Sequence, residues 1–217
     1  MAIDVSRVIG VVTREVSTRD RDDAPARVLV ATRTFATTRK DLWEAITDPK
    51  RIPRWFLPIS GDLRPGGNYQ LQGNAGGEIL TCRRLDRLDL TWGMHGQVSW
   101  VAVELSDHPD GSTILWLEHM AFVPDELWQQ YGPGAVGIGW DQALLRLDQH
   151  FATGEAIHPE VASDWLSSEE GRFFVQLSSR AWCEASIAAG TDPETAHAAA
   201  ARVAALYAGT EPASTGE

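Results

Sequence analysis

The segment that most limits what this chain can fold into is Ser60–Trp92, SGDLRPGGNYQLQGNAGGEILTCRRLDRLDLTW. Three short strand-like runs are separated there by Pro65-Gly66-Gly67, by Asn74-Ala75-Gly76-Gly77 and by a charged corner at Arg83–Arg87. Glycine and proline at these places make turns that other residues cannot make cheaply. One amphipathic stretch precedes the segment, and a hairpin and a long amphipathic stretch follow it. That order predicts an α+β fold in which a curved antiparallel sheet wraps around a helix and tends to enclose a cavity.

The flanking sequence fills in the frame. Val8–Val16 and Val28–Phe35 read as strands, joined by a polar loop over Ser17–Ala26. Thr38 stands three residues before Asp41, a helix-start signal for Leu42, Trp43 and Ile46. Asp48-Pro49 stops that helix and can begin a second short one. Tyr69 and Leu71 share one face of a strand, as do Leu88, Leu90 and Trp92. Pro109-Asp110-Gly111 closes a hairpin between Val98–Leu105 and Thr113–Phe122. Its inner face carries Val101, Val103 and Leu105 opposite Leu115, Leu117 and His119. Its outer face carries Trp100, Glu104, Trp116 and Glu118. After Gly132-Pro133-Gly134, Val136, Trp140, Leu144, Leu147 and Phe151 recur at helical spacing as one apolar stripe.

Ala152–Asp164 reads as a linker. Two more helices follow, about Glu169–Ala189 and from Asp192-Pro193-Glu194 to Gly209, before a frayed end at Glu211–Glu217. The expected division is a main domain over 1–153, with a strand extension at 1–26, and a linker with a helical extension over 154–217 that packs on it.

Composition removes several function classes. Asp and Glu number 30 against 19 Lys and Arg, and there is no basic run, so no grip on nucleic acid is expected. Cys82 and Cys183 give neither a disulfide framework nor metal spacing. No apolar run approaches the ~20 residues that span a bilayer. The amino terminus lacks a basic start followed by an apolar block, so the expectation is a cytoplasmic protein without membrane insertion. There is no Gly-x-Ser-x-Gly elbow, no HExxH and no phosphate-cradling glycine loop; neither a cofactor nor a metal is expected.

The ordered set Asp48-Pro49 with Trp55, Gly66-Gly67-Asn68-Tyr69, Leu88 through Thr91-Trp92, Leu115-Trp116-Leu117-Glu118-His119, and Gly139-Trp140 with Leu144-Leu145 resembles the helix-grip superfamily. That superfamily includes START domains, the birch-pollen allergen and polyketide cyclases. More narrowly, the chain is similar to the branch named for the activator of the heat-shock ATPase, over roughly Val28–Phe151. The C-terminal helical pair resembles an extension found in actinobacterial members. The resemblance implies a deep apolar cavity between the sheet and the long helix, but no single activity.

Trp55, Tyr69, Leu71, Trp92, Val103, Leu117, His119, Trp140 and Leu144 are therefore the candidate cavity-wall and ligand-binding residues. His119, on a strand face with Leu115 and Leu117, is the best catalytic candidate, since an inward imidazole can orient a ligand or move a proton. Asp141 reads as a solvated helix residue, and His95 as an exposed turn residue at the cavity mouth. Trp100 and Trp116 together form an outer apolar patch. It calls for a cover, either Phe173, Phe174, Leu177 and Trp182 folding back over it or a homodimer face. The expected role is binding a small apolar or amphipathic molecule. The alternatives are a cyclase- or hydrolase-like enzyme with His119 as general base, and a chaperone-accessory or regulatory protein-binding domain.

Overall fold

A computed structural model of the chain describes residues 4–94, 96–156 and 165–209. Eight antiparallel strands form one sheet in the order β1-β2-β8-β7-β6-β5-β4-β3. They are β1 (Val12–Arg21), β2 (Ala24–Phe35), β3 (Ile59–Gly61), β4 (Asn68–Leu71), β5 (Gly76–Arg83), β6 (Arg87–Met94), β7 (Gln97–Asp107) and β8 (Thr113–Ala121). The glycine-punctuated segment supplies four strands rather than three, because Ile59–Gly61 adds a short edge pairing with Tyr69 and Leu71. The helices are α1 (Val5–Gly10), α2 (Arg39–Thr47), α3 (Asp125–Tyr131), α4 (Gly134–Thr153), α5 (Glu169–Ala188) and α6 (Pro193–Tyr207). This is the helix-grip architecture, with α4 held by the concave face. No described helix is long and apolar enough to cross a membrane.

The amino-terminal expectation needs correction. Val8–Val16 is not one strand. Val5, Val8 and Ile9 fall on one side of α1, which Asp4 caps by accepting the Arg7 N–H at 3.0 Å, and all three are buried. Nor is Ser17–Ala26 a loop. β1 runs on to Arg21, and β2 starts at Ala24. Between them, Asp22 and Asp23 both adopt positive φ (50° and 61°), the backbone of a tight hairpin turn that aspartate tolerates. The polar residues that suggested a loop sit on an edge strand, where charge discourages further pairing. Pro49 does not begin the second short helix, which is a 3-10 turn at Ile52–Arg54.

α2 begins where expected, with Thr38 Oγ1 accepting the Asp41 N–H at 3.2 Å. α4 differs from the single-stripe expectation because it is covered on two sides. Trp140, Leu144, Leu147 and Phe151 face the sheet core. Ile138 and Leu145 join Val5, Phe174 and Val203 in a second core built with α1, α5 and α6. Val136, which headed the expected stripe, is exposed. Arg33 of β2 pins the helix to the sheet through Asp148, Nη2 to Oδ1 2.6 Å.

Close approach of α4 and α5 depends on Gly137. A Cβ there would lie 2.3 Å from Trp182 Cε2, inside any real contact. Gly137→Ala is therefore expected to lower stability by about 1–3 kcal/mol through overpacking, read as a reduced urea midpoint. An unchanged midpoint would mean that α5 does not dock on α4 this closely.

The outer-face expectation also needs correction. α5 packs on α1, β1 and α4. Phe174 and Trp182 are buried there, while Phe173 is exposed. Trp100 and Trp116 instead lie over buried Ala26, Val28, Val30 and Met120. The Arg21 guanidinium sits 3.8 Å from the Trp100 ring centroid, and Phe122 meets the same ring edge-on at 5.5 Å. The patch largely covers itself, because long arginine stems on β1 can shield apolar surface. The His95 turn, most of the expected linker (157–164) and the expected frayed end at Glu211–Glu217 lie outside the described residues.

Candidate functional site

The sheet and α4 do not meet fully. Between them lies a cavity of about 150 Å³. The alternation along β4, β6, β7 and β8 turns Tyr69 and Leu71, Trp92, Val103, and Leu117 to the concave side, where all five line it. Trp140 and Leu144 come from α4, and Trp55 from just past the 3-10 turn. Eight of the nine expected wall residues are thus brought together. The wall also uses Phe56, Ile79, Leu88, Leu90 and Leu147. Leu88 and Leu90 carried a visible signal, their two-residue period with Trp92. Phe56 did not, since it follows a 3-10 turn and stacks on Trp55, centroids 5.3 Å apart and 26° between planes.

The polar atoms of this wall are turned into the protein. Trp55 Nε1 donates to the Ala45 carbonyl at 2.9 Å, the Thr47 hydroxyl to the Trp43 carbonyl at 2.7 Å, and the Tyr69 hydroxyl to the Thr91 carbonyl at 2.8 Å. Burial raises the pKa of the Tyr69 phenol, keeping it protonated. The surface left for a ligand is therefore mostly carbon. Among the described residues, Trp92 is the one lining tryptophan whose indole N–H has no hydrogen-bond acceptor.

His119 points inward and is buried, but it is not part of the cavity lining. It stands one step past Leu117 on β8, beyond the Trp92–Trp140 pair, whose ring centroids are 5.1 Å apart. Its Nδ1 accepts the Trp140 indole N–H at 2.9 Å, and its Nε2 lies 2.8 Å from Ser99 Oγ. An indole nitrogen only donates, so Nδ1 is bare and the neutral ring carries its proton on Nε2. Nε2–H then donates to Ser99, which donates to the Trp92 carbonyl at 3.0 Å. Burial pushes the imidazole pKa down to about 4, so the ring is neutral near pH 7. A serine this close to a histidine invites comparison with a nucleophile and its base. Here the nitrogen facing the serine already holds the proton, and the other nitrogen meets an indole rather than an orienting carboxylate.

Asp141 reverses its expected placement. It is buried, and Oδ1 and Oδ2 accept Arg14 Nε at 3.2 and 3.1 Å. Oδ2 also accepts Trp182 Nε1 at 3.1 Å and the Ser178 hydroxyl. Burial raises its carboxyl pKa, while the Arg14 charge and the three donors oppose that shift. This cluster ties β1, α4 and α5 together on the side of α4 away from the cavity.

A second cavity, of about 260 Å³, lies between α3, α5 and α6. Its buried hydroxyls already have partners: Ser179 donates to the Ala200 carbonyl at 2.7 Å, and Ser186 and Thr191 bond each other at 2.9 Å. Those hydroxyls are therefore spent within the protein.

Comparison with known proteins agrees with this geometry. No curated protein matches the chain. The solution structure of CalU16 from Micromonospora echinospora is similar at 32% identity, covering 82% of this chain and 97% of that one, with a TM-score of 0.67. The crystal structure of CalU16 matches at 34% identity over 77% of this chain and 98% of that one, TM-score 0.58. DynU16, described as a putative protein in the dynemicin biosynthetic locus, shares the fold at 21% identity, over 59% of this chain and 48% of its own, TM-score 0.51. The family described as Activator of Hsp90 ATPase homolog 1-like protein matches residues 36–152, which span α2 through α4 and every strand that lines the cavity. The chain belongs to that family, within the helix-grip superfamily.

Proposed function

We propose that the protein binds a small apolar or amphipathic molecule in the cavity between the sheet and α4. The observation that carries this reading is the carbon-walled space of about 150 Å³ between the sheet core and α4. The volume is about that of a Leu/Ile/Phe-lined engineered cavity that stays dry and takes benzene or xenon. A compact single-ring ligand fits without rearrangement, and a drug-sized one needs the walls to part. Trp55, Tyr69, Leu71, Trp92, Val103, Leu117, Trp140 and Leu144 supply the contact surface. The two free thiols, Cys82 and Cys183, suit a reducing cytoplasm.

The enzyme alternative gains no support from His119, whose proton is on the nitrogen facing Ser99 and whose ring stands behind two indoles. The protein-accessory alternative gives the cavity no role. In an NMR titration with toluene, saturable shifts are expected at the Trp92 and Trp140 indole N–H signals. Val103→Phe, which puts a ring into the space, is expected to weaken binding by about tenfold or more. Absence of any saturable shift in the wild type contradicts the proposal.

A further inference from the structure

We infer that His119 is a positioning residue: with Ser99 it clamps the Trp140 indole across one end of the cavity and so limits the length of ligand that fits. The hydrogen-bond chain runs from Trp140 on α4 to His119 on β8, then to Ser99 on β7, and ends on the Trp92 carbonyl of β6. Each link uses its only compatible polarity. The indole can only donate, so Nδ1 must accept; Nε2 must then donate, and the serine passes its own proton to a carbonyl. The chain therefore fixes the Trp140 indole and ties it to the backbone of Trp92, whose own ring packs against it. The packing agrees: Trp92 and Trp140 flank the imidazole edge-on, centroids 6.4 and 5.7 Å away. Tyr69 also packs against Trp92, with ring centroids 6.5 Å apart.

The consequence is a division of labour along β8. Leu117 lines the cavity, and the next inward residue, His119, does not line it but holds Trp140, which does. Without the acceptor at Nδ1, the Trp140 indole keeps its packing but loses the bond that selects one orientation. The wall at this end becomes adjustable, and longer ligands gain access. The size limit rests on the cavity being the binding site. The clamp itself does not.

Two variants separate the hydrogen bond from bulk. His119→Phe keeps a ring and removes the acceptor. His119→Gln keeps an acceptor for Trp140 and a donor for Ser99. The first readout is indole N–H exchange with solvent, followed by NMR with the Trp140 signal assigned by its loss in Trp140→Phe. Trp55 is the internal control, because its indole lines the same cavity and donates instead to the Ala45 carbonyl. His119→Phe is expected to speed Trp140 exchange about fivefold or more, the worth of one neutral hydrogen bond, with Trp55 unchanged. His119→Gln should restore slow exchange. Should His119→Phe not fold, Ser99→Ala, which frees the Nε2 end, is expected to raise Trp140 exchange alone. Equal acceleration of both indoles, no acceleration, or failure of His119→Gln to rescue would overturn the clamp.

The second readout is the affinity of naphthalene relative to toluene. The ratio should rise about fivefold in His119→Phe and return in His119→Gln. An unchanged ratio overturns the size limit. If neither hydrocarbon binds the wild type, the cavity reading fails and the size limit with it, while the exchange data still decide the clamp.

Discussion

Asp141→Ala is expected to lower the free energy of unfolding by about 3–5 kcal/mol, the usual cost of stranding one member of a buried ion pair. Against a total of about 5–15 kcal/mol for a domain, that is enough to populate partly unfolded chains. The partner left behind is Arg14, whose side chain is 5% exposed. Its Nη1 still has the Ile9 and Val12 carbonyls at 3.2 and 2.9 Å, but the carboxylate that bonded Nε and lay 3.1 Å from Nη2 is gone. Ser178 and Trp182 lose their acceptor at the same time, so the damage should spread to α5 first. Hydrogen exchange is expected to show lost protection over 169–188 before the sheet is affected. Replacing both partners by apolar residues, Asp141→Leu with Arg14→Met, should recover most of the loss, because neither buried charge remains. If Asp141→Ala leaves urea unfolding unchanged, the cluster does not hold α5 to α4.

The second large effect is a dependence on pH. The His119 imidazole titrates at about 4 when folded, below its ordinary 6.5. A depressed pKa means that the folded state holds the neutral form and the unfolded chain takes up the proton first. The stabilising contribution is therefore complete above pH 6.5 and is lost as pH falls from 6.5 through 4. The full difference is about 3.5 kcal/mol, from the fall between 6.5 and 4 at about 1.4 kcal/mol per pH decade, and about 3 kcal/mol of it is lost by pH 4. The structural reason is direct: a proton on Nδ1 would face the Trp140 N–H, donor against donor. In urea unfolding at pH 7.5 and pH 4, wild type is expected to lose about that much more than His119→Gln, which cannot titrate. Equal losses in the two proteins would mean that the imidazole is not held neutral in the fold.

Much of this arrangement was legible in the sequence, and the exceptions have identifiable causes. Asp110-Gly111 and the glycine pairs at 66–67 and 76–77 marked the strand breaks, because turns are local chemistry. Two-residue alternation then fixed which side chains of β7 and β8 face inward. α1 was hidden because Val8, Ile9, Val11 and Val12 are strand-favouring types, and only the Val5-Val8-Ile9 spacing hinted at a helix whose partners lie on α4 and α5. The role of Asp141 was not readable, since a carboxylate in an amphipathic helix is solvated by default and its partner Arg14 is 127 residues away. For His119, alternation gave the direction of the side chain. Whether it ended in the cavity or behind its wall depended on Trp140 and Ser99, which only the folded chain brings together. The C-terminal helices were placed correctly along the chain but assigned to the wrong surface, because the matching small residues, Gly137 above all, lie on α4 rather than on the outer sheet face.

Xenon enters dry apolar space of this size without needing a polar partner, so diffraction from crystals held under xenon pressure reads the space between the sheet and α4 itself. A xenon peak is expected, bounded by Leu71, Trp92, Leu117 and Leu144, in a space otherwise free of side-chain density. A core filled by those same side chains, with no xenon between the sheet and α4, would contradict the cavity reading.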